Sequence, residues 1–164
     1  MLFRSIRLEE DLQGMAAERL MMIETNVDDL SPQIFGHVME RALEMGALDC
    51  YFTPIQMKKN RPGVLLSILC RENDQDRLSE MIFAETTTLG IRSYAVERRA
   101  LERTMQQVET RYGPIDVKVA RLNGHILTLM PEYEQCREAA RTANVPLRVV
   151  EDEARIASAK LSQS

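Results

Sequence analysis

Apolar residues alternate between short continuous runs and helical spacing along the N-terminal part of the chain. A strand-like run opens at Met21 and ends near Asp28. Ser31 and Pro32 then offer an N-cap and a first-turn proline, after which apolar residues recur at three- and four-residue spacing until Gly46. The pattern predicts a strand followed by an amphipathic helix.

The next stretch predicts a hairpin and then a second helix and strand. Residues 48–70 are typical of two strands separated by a polar turn at residues 58–63. Asn73 is placed to cap a helix that ends around residues 86–88, and a further strand is predicted over residues 89–96. The predicted order is strand, helix, strand, strand, helix, strand, which is the ferredoxin-like βαββαβ order.

A second pattern follows, with a predicted strand over residues 105–112 and an alternating apolar run that leads to Asn123 and Gly124. Asn-Gly between two such runs is a strong signal for a two-residue β-hairpin. Pro131 and Pro146 are each predicted to start a helix.

These patterns predict an α+β protein in three parts. Residues 1–20 are expected to be a leader or linker, residues 21–98 a ferredoxin-like nucleotide-binding domain, and residues 99–164 a small α+β lobe with a β-hairpin and two helices. Right-handed crossovers in such a domain place Asp28, the turn at residues 58–61 and the junction at residues 86–90 at the same end of the sheet.

Composition narrows the class of protein. The net charge of -4 and an isoelectric point near 5.3 argue against nucleic-acid binding, since proteins that bind polyanions usually carry a basic excess. No segment has the roughly 20 apolar residues of a membrane span, and the N-terminus lacks the apolar core of a signal peptide. The three widely spaced cysteines favour neither a disulfide framework nor a zinc site. We therefore expect a cytoplasmic protein without nucleic-acid or membrane partners.

Oxygen ligands are concentrated at the end of the first strand. Glu24, Asn26 and Asp28 alternate with other residues, so their side chains project from the same face. Carboxylate and amide oxygens suit Mg²⁺ or Mn²⁺. An alternative interpretation stays open, in which Asp28 and Asp29 only face the positive end of the following helix.

Cationic and hydroxyl side chains are predicted at the same end of the sheet. Lys58, Lys59 and Arg61 fall within the hairpin turn, where they could neutralise phosphate oxygens or simply be solvated. The threonines at residues 86–88 offer hydroxyl donors, or they only end a helix. A nucleoside triphosphate with a divalent ion requires the whole combination.

Four sequence blocks resemble the C-terminal domain of the LarC family, the nickel insertases of nickel-pincer nucleotide cofactor biosynthesis. The blocks are ETNVDD at residues 24–29, GALD at 46–49, TPIQMKKNRPG at 53–63 and ETTTLGIR at 85–92. The resemblance extends over residues 23–156, and the long block at 53–63 is the most specific.

The resemblance implies a lyase-class nickel chelatase or cyclometallase. Nickel enters a pyridinium bisthiocarboxylate mononucleotide precursor, and CTP is cleaved to CMP and pyrophosphate. The C-terminal domain is the part expected to bind CTP with Mn²⁺ or Mg²⁺. Full members of the family carry a large N-terminal region that is absent from this sequence, so whether the present chain is active alone stays open.

Within that framework the side-chain chemistry suggests individual roles, although the catalytic residues cannot be assigned. The candidate metal ligands are Glu24, Asn26 and Asp28, and the candidate nucleotide-binding residues are Lys58, Lys59, Arg61, Thr86, Thr87, Thr88 and Arg92.

Another function class is compatible with the same fold. Ferredoxin-like domains also serve as non-catalytic ligand-sensing or assembly modules, because a fold does not by itself determine function. The hairpin around Asn123 and the regular C-terminal helix offer surfaces for self-association, so a homo-oligomer is expected.

Overall fold

The computed structural model describes Met15 and residues 17–163, which divide into two compact units. One unit is Ala17–Arg98, and the other contains the described residues from Arg99 onward. Most of the predicted leader at residues 1–20 lies outside the described residues. Its last four residues belong to the first strand, which begins at Ala17 and not at Met21. Leu20 is only 1% exposed, and its burial accounts for the earlier start of the strand.

The first unit contains four strands and two α-helices. In chain order they are β1 (Ala17–Val27), α1 (Pro32–Glu44), β2 (Asp49–Met57), β3 (Arg61–Cys70), α2 (Gln75–Glu85) and β4 (Arg92–Arg99). Short 3₁₀ turns, Lys58–Asn60 and Glu72–Asp74, precede β3 and α2 respectively.

The four strands form one sheet in the order β2-β3-β1-β4. β3 pairs antiparallel with both β1 and β2, so that Ser67 lies opposite Glu24 on one side and Tyr51 on the other. This is the ferredoxin-like arrangement, and the predicted fold class is confirmed.

One face of the sheet packs against both helices. Ile23, Leu66 and Ile68 from the sheet are completely buried against Val38 of α1 and Ile82 of α2. Because strand side chains alternate, the residues between them, including Glu24 and Ser67, project from the opposite face. The core therefore decides which side chains are left for binding.

The ends of the helices differ in detail from the sequence-based predictions. Ser31 is the N-cap of α1 and Pro32 its first residue, but the Ser31 side chain makes no capping hydrogen bond. Gly46 follows the helix with φ at 94°, a conformation that glycine adopts without steric cost. The prediction that Asn73 caps α2 is wrong, because Glu72–Asp74 forms a 3₁₀ turn and Asp74 is the N-cap.

The second unit contains a three-stranded antiparallel sheet and two helices. The elements are β5 (Glu102–Thr110), β6 (Gly113–Leu122), β7 (His125–Pro131), α3 (Tyr133–Ala143) and α4 (Leu147–Ser158), followed by the 3₁₀ segment Ala159–Gln163. Ile115, Val117 and Val119 of β6 are buried with Cys136 of α3 and Val150 of α4.

The predicted Asn-Gly hairpin joins β6 to β7. Asn123 and Gly124 have φ of 50° and 79°, as a type I′ turn requires. The prediction that Pro131 starts a helix is wrong: it ends β7 opposite Val117, and α3 begins at Tyr133. Proline is compatible with this position because β7 is an edge strand.

No helix of residues 17–163 is both long and apolar enough to cross a membrane. The three cysteines, Cys50, Cys70 and Cys136, are buried free thiols. Burial raises the pKa of Cys50 to about 11, and the nearby Asp49 carboxylate acts in the same direction. The thiols therefore act as small core residues and not as reactive nucleophiles.

Gly63 allows β3 to approach β1 and Met57 closely, and this generates a prediction. A Cβ at Gly63 would lie 3.0 Å from the Val27 carbonyl oxygen and 2.7 Å from Met57 Sδ. We expect Gly63→Ala to lower the free energy of unfolding by about 1–3 kcal/mol, the usual cost of overpacking. The measurement is urea denaturation followed by circular dichroism.

The matched control is Gly36→Ala, since a Cβ at Gly36 in α1 meets nothing within 4 Å. That substitution should raise the stability by roughly 0.5–1 kcal/mol, because alanine has the higher helix propensity. Equal stability of the two variants would contradict the close approach at Gly63.

Candidate functional site

Segments that are distant in sequence meet at the end of the first unit where β1 ends. Arg61 Nη1 donates to Asp28 Oδ2 at 3.3 Å. Asp29, the next residue, accepts a hydrogen bond from the Thr87 hydroxyl through Oδ1. The anionic, cationic and hydroxyl-bearing segments are thus brought into direct contact. We call Asp28, Asp29, Arg61 and Thr87 the strand-end cluster.

Thr25 ties the threonine-rich turn to the central strand. Its Oγ1 lies 2.6 Å from Thr88 Oγ1 and 2.9 Å from the Gly90 carbonyl oxygen, which is itself 3.0 Å from Thr88 Oγ1. Since each hydroxyl has one proton, one donates to the other and the second donates to Gly90. Thr25 is 1% exposed, so this network holds the turn from inside.

The three threonines of this turn have different partners. Thr86 Oγ1 donates to the Ile82 carbonyl at 2.7 Å, which satisfies a carbonyl at the end of α2. Thr88 belongs to the network around Thr25, whereas Thr87 is exposed and reaches Asp29. Thr87 is therefore the threonine most available to a ligand.

The cationic turn adopts an unusual backbone conformation. Lys59 and Asn60 have φ of 61° and 57°, in the left-handed region that side chains other than asparagine rarely adopt. Lys58, Lys59 and Arg61 are all exposed around this turn. Met57 pairs with Arg61 across the closing end of the hairpin. The tight turn thus carries three positive charges, of which Arg61 contacts Asp28.

Glu24 and Asn26 lie on the open face of the sheet, where Arg92 joins them. Arg92 Nε donates to Glu24 Oε2 at 3.1 Å and Nη2 donates to Asn26 Oδ1 at 2.9 Å. Ser67 and the Tyr94 hydroxyl donate to Glu24 Oε1 at 3.3 and 3.1 Å. Both carboxylate oxygens of Glu24 are therefore engaged by protein donors.

The surroundings of Tyr94 raise the pKa of its phenol above the usual value. Desolvation is the largest contribution to the raised pKa of Tyr94, followed by its hydrogen bond to Glu24 and the negative charge of that carboxylate. The positive charge of Arg92 opposes these effects. The phenol is thus a neutral hydrogen-bond donor.

The donor set fits a metal ion that arrives with a phosphate ligand. Within the part of the chain that the structure describes, no group of three His, Cys, Asp or Glu side chains is arranged to hold a metal. A divalent ion on a triphosphate needs only one or two carboxylates, with phosphates and waters as its other ligands. Asp28 suits that role best of the three predicted ligands, because Arg61 engages one of its carboxylate oxygens, whereas donors engage both oxygens of Glu24 and the amide oxygen of Asn26.

Two contributors were missed by sequence reasoning, Ser67 and Tyr94. A serine in a buried-type strand and a tyrosine in an exposed strand carry no motif of their own. Knowledge of the register between β1 and β3 would identify Ser67, because Ser67 lies directly opposite Glu24.

Comparison with known proteins gives a consistent result. The sequence model of the family described as nickel insertion protein matches residues 2–151. A putative nickel insertion protein of Pelobacter propionicus is 49% identical over 138 residues, which cover 84% of this chain and 35% of the relative. A pyridinium-3,5-bisthiocarboxylic acid mononucleotide nickel insertion protein of Thermotoga sp. (strain RQ2) is 48% identical, over 79% of this chain and 32% of the relative.

A solved structure agrees with the relatives. It is described as LarC2, the C-terminal domain of a cyclometallase involved in the synthesis of the NPN cofactor of lactate racemase, in its apo form. The two structures match with a TM-score of 0.83 and 41% identity, over 87% of this chain and 98% of that one.

The present chain spans about a third of the length of the curated relatives named above. The resemblance to the LarC C-terminal domain is confirmed, and it extends to the fold as well as to the sequence. With a family match that spans most of its residues, the chain belongs to the nickel insertion protein family.

Proposed function

We propose that this chain is the CTP- and divalent-metal-binding part of a nickel insertase, a lyase-class enzyme that completes the nickel-pincer nucleotide cofactor. The observation that carries the proposal is the strand-end cluster, where Asp28 contacts Arg61 beside the contact between Asp29 and Thr87. Relatives named for nickel insertion into a pyridinium bisthiocarboxylate mononucleotide support the reaction.

The contacts within the strand-end cluster are compatible with ligand binding. The Arg61 side chain is 59% exposed, and an exposed ion pair of this kind contributes only about 0–1 kcal/mol. Opening it costs little compared with a charge-assisted bond to phosphate, which contributes about 1.5–3 kcal/mol. Arg61 can therefore turn to a phosphate and release Asp28 for the metal.

The other candidate residues have complementary roles in this proposal. Lys58 and Lys59 add positive charge beside Arg61, and Arg92 adds it on the open face of the sheet. Thr87 donates to a phosphate oxygen, whereas Thr86 and Thr88 shape the turn. Asp28 contacts the metal directly, and Glu24 and Asn26 act through water or through Arg92.

Catalysis by these residues is electrostatic. A bound Mg²⁺ or Mn²⁺ would neutralise charge on the phosphates of CTP as pyrophosphate leaves. The Arg61 guanidinium and the lysine ammonium groups stabilise the same developing charge from the protein side. Nickel and the pyridinium precursor are substrates, and complete insertion also requires the portion of the family protein that this chain does not span.

The proposal also includes a cytoplasmic location and a homo-oligomer of this chain. In the second unit, Met105 and Met130 are 52% and 55% exposed, and both lie opposite Lys118 in the sheet register. This partly apolar sheet face suits contact with a second copy. A non-catalytic sensing module with the same fold is the alternative that the following measurements address.

The first prediction concerns the metal. Asp28→Ala should weaken CTP binding about tenfold or more when Mn²⁺ is present, because the ion loses its protein ligand. Without metal, CTP affinity should stay unchanged or rise slightly, because a negative charge is removed. Isothermal titration with and without Mn²⁺ measures both values, and parallel titrations with ATP, GTP and UTP measure base selectivity.

The control for this prediction is Glu80→Gln, which removes an exposed charge from α2 in the same unit. It should alter neither titration. If Asp28→Ala binds CTP as tightly as the unsubstituted protein in Mn²⁺, Asp28 is not a metal ligand. If the unsubstituted protein binds no nucleotide, the sensing or assembly module becomes the better description.

The second prediction concerns the phosphates. Arg61→Ala should weaken CTP binding about tenfold to a hundredfold with or without metal, since a charge-assisted contact of about 1.5–3 kcal/mol is lost. Arg61→Lys should recover only part of the affinity, because an ammonium group cannot bind phosphate in the bidentate way of a guanidinium. The same titrations measure these affinities.

Arg71→Ala is the matched control, because Arg71 is also exposed but follows the opposite end of β3. A loss of affinity as large in Arg71→Ala as in Arg61→Ala would show a general charge effect, and the cluster would then not be the phosphate site.

A further inference from the structure

A single row of side chains crosses the open face of the first sheet from edge to edge. Tyr51 on β2 lies opposite Ser67 on β3, and Ser67 lies opposite Glu24 on β1. The row continues to β4, where the Tyr94 hydroxyl donates to Glu24 Oε1 at 3.1 Å. Each of the four strands contributes one residue, and the two edge strands contribute the tyrosines.

The two tyrosines are exposed although the residues between them are not. Tyr51 and Tyr94 are 41% and 46% exposed, whereas Ser67 is completely buried on this helix-free face. Neighbouring side chains therefore cover Ser67, and the phenol rings form the accessible surface of the row. We call Tyr51 and Tyr94, with Glu24 between them, the tyrosine platform.

The tyrosine platform lies apart from the helix-packed core and from the strand-end cluster. The core uses the other face of the same strands, as the two pairs next to Tyr51–Ser67 show: Cys50 lies opposite Ile68, and Phe52 lies opposite Leu66. Glu24 and Asp28 are four positions apart, about 13 Å along an extended strand. Neither protein packing nor the proposed phosphate site accounts for two exposed aromatic rings.

The charges on the tyrosine platform favour a particular ligand chemistry. The faces of neutral phenol rings carry partial negative charge and attract cations. Glu24 adds a carboxylate between the rings, and its side chain is only 14% exposed. At the border of the platform, the Arg92 side chain is 51% exposed and offers a guanidinium to anionic groups.

A pyridinium ring with acidic substituents matches this pattern. The ring is planar and cationic, so it can stack on the tyrosines, and its anionic substituents or its own phosphate can contact Arg92. A neutral pyrimidine base lacks the positive charge that the electron-rich platform attracts.

We propose that Tyr51 and Tyr94 bind the pyridinium ring of a mononucleotide, with Arg92 holding an anionic group of the same molecule. The proposal rests on the proposed function, because it assigns the nickel-accepting substrate to the domain that binds CTP. It also refines the role of Arg92, which then contacts the pyridinium mononucleotide and not CTP. The strand-end cluster and the tyrosine platform would thereby hold the two nucleotides of the reaction at one end and on one face of the same sheet.

The composition of the chain offers a direct test. It contains no tryptophan and four tyrosines, so its intrinsic fluorescence reports on tyrosine alone. Nicotinic acid mononucleotide is the probe, because it combines a pyridinium ring, a carboxylate and a phosphate. A pyridinium ring stacked on tyrosine quenches its emission. We expect the quenching to saturate as the probe concentration rises. Free tyrosine amide, titrated in parallel, corrects for the light that the probe itself absorbs. Calorimetry should give the same affinity.

Substitutions then separate stacking from other effects. Tyr51→Ala and Tyr94→Ala should each weaken binding of the probe about threefold to thirtyfold, the range expected for loss of a cation–π contact. Tyr94→Phe keeps the ring but loses the hydrogen bond to Glu24, so it should retain most of the affinity. The Tyr94→Phe variant also keeps the proposal testable if Tyr94→Ala fails to fold, because the probe should still quench the emission of Tyr51 in the Tyr94→Phe protein.

The matched control is Tyr133→Ala, since Tyr133 is 53% exposed but begins α3 in the other unit. It should leave the affinity for nicotinic acid mononucleotide unchanged. Absence of saturable binding, or equal affinity in the control and the two platform alanine variants, would overturn the proposal.

Two further titrations identify which claim has failed. CMP, a mononucleotide with an uncharged pyrimidine base, should neither compete with the probe nor distinguish Tyr94→Ala from the unsubstituted protein. Competition by CMP would assign the platform to a neutral base and overturn the pyridinium assignment. CTP with Mn²⁺ should bind the platform variants as tightly as the unsubstituted protein. If CTP binds but the tyrosine substitutions do not weaken binding of nicotinic acid mononucleotide, only this inference is rejected. If the unsubstituted protein does not bind CTP, the proposed function is rejected.

Discussion

The alternation of side chains along β1 is the constraint on which the first unit depends. Ile23, Thr25 and Val27 point toward the helices and are buried, whereas Glu24 and Asn26 point the other way. A shift of one residue in the register between β1 and β3 would exchange these two sets, placing a carboxylate in the core. Burial of the apolar set therefore fixes where the polar set lies.

The same constraint connects packing with chemistry at the strand end. Thr25 is on the buried side, yet its hydroxyl contacts Thr88 and Gly90, so the core positions the turn that carries Thr87. Close passage of β3 at Gly63 brings Arg61 to Asp28 in a similar way. The candidate site is thus built by rigid elements, although several of its side chains are exposed.

The two faces of the first sheet serve different purposes. The helix-covered face supplies stability through buried apolar residues such as Leu66 and Ile82. The open face contains an acidic group, a guanidinium and two tyrosines, in positions that a purely structural sheet would not require. In the proposed arrangement this face binds one nucleotide and the adjoining end of the sheet binds the other, and β1 runs between them.

Local sequence signals determined the elements of this protein. Helical spacing after Pro32, the Asn123-Gly124 turn and the alternating run in β6 each depend on residues that are near neighbours in the chain, and each is present in the structure. The ferredoxin-like order followed from the succession of these elements. Boundaries were less well determined at Ala17, Asn73 and Pro131, where burial, a 3₁₀ turn and strand pairing respectively decided the outcome.

The partners of each polar side chain were decided only by the tertiary structure. Sequence reasoning placed Glu24, Asn26 and Asp28 on one strand face, but it could not show that Arg92 would engage the first two and Arg61 the third. Nor could it find the row from Tyr51 to Tyr94, because its four residues come from strands that pair across large sequence separations. Hydrophobic periodicity is a local property of the chain, whereas hydrogen bonds across a sheet depend on the register of strands brought together by folding.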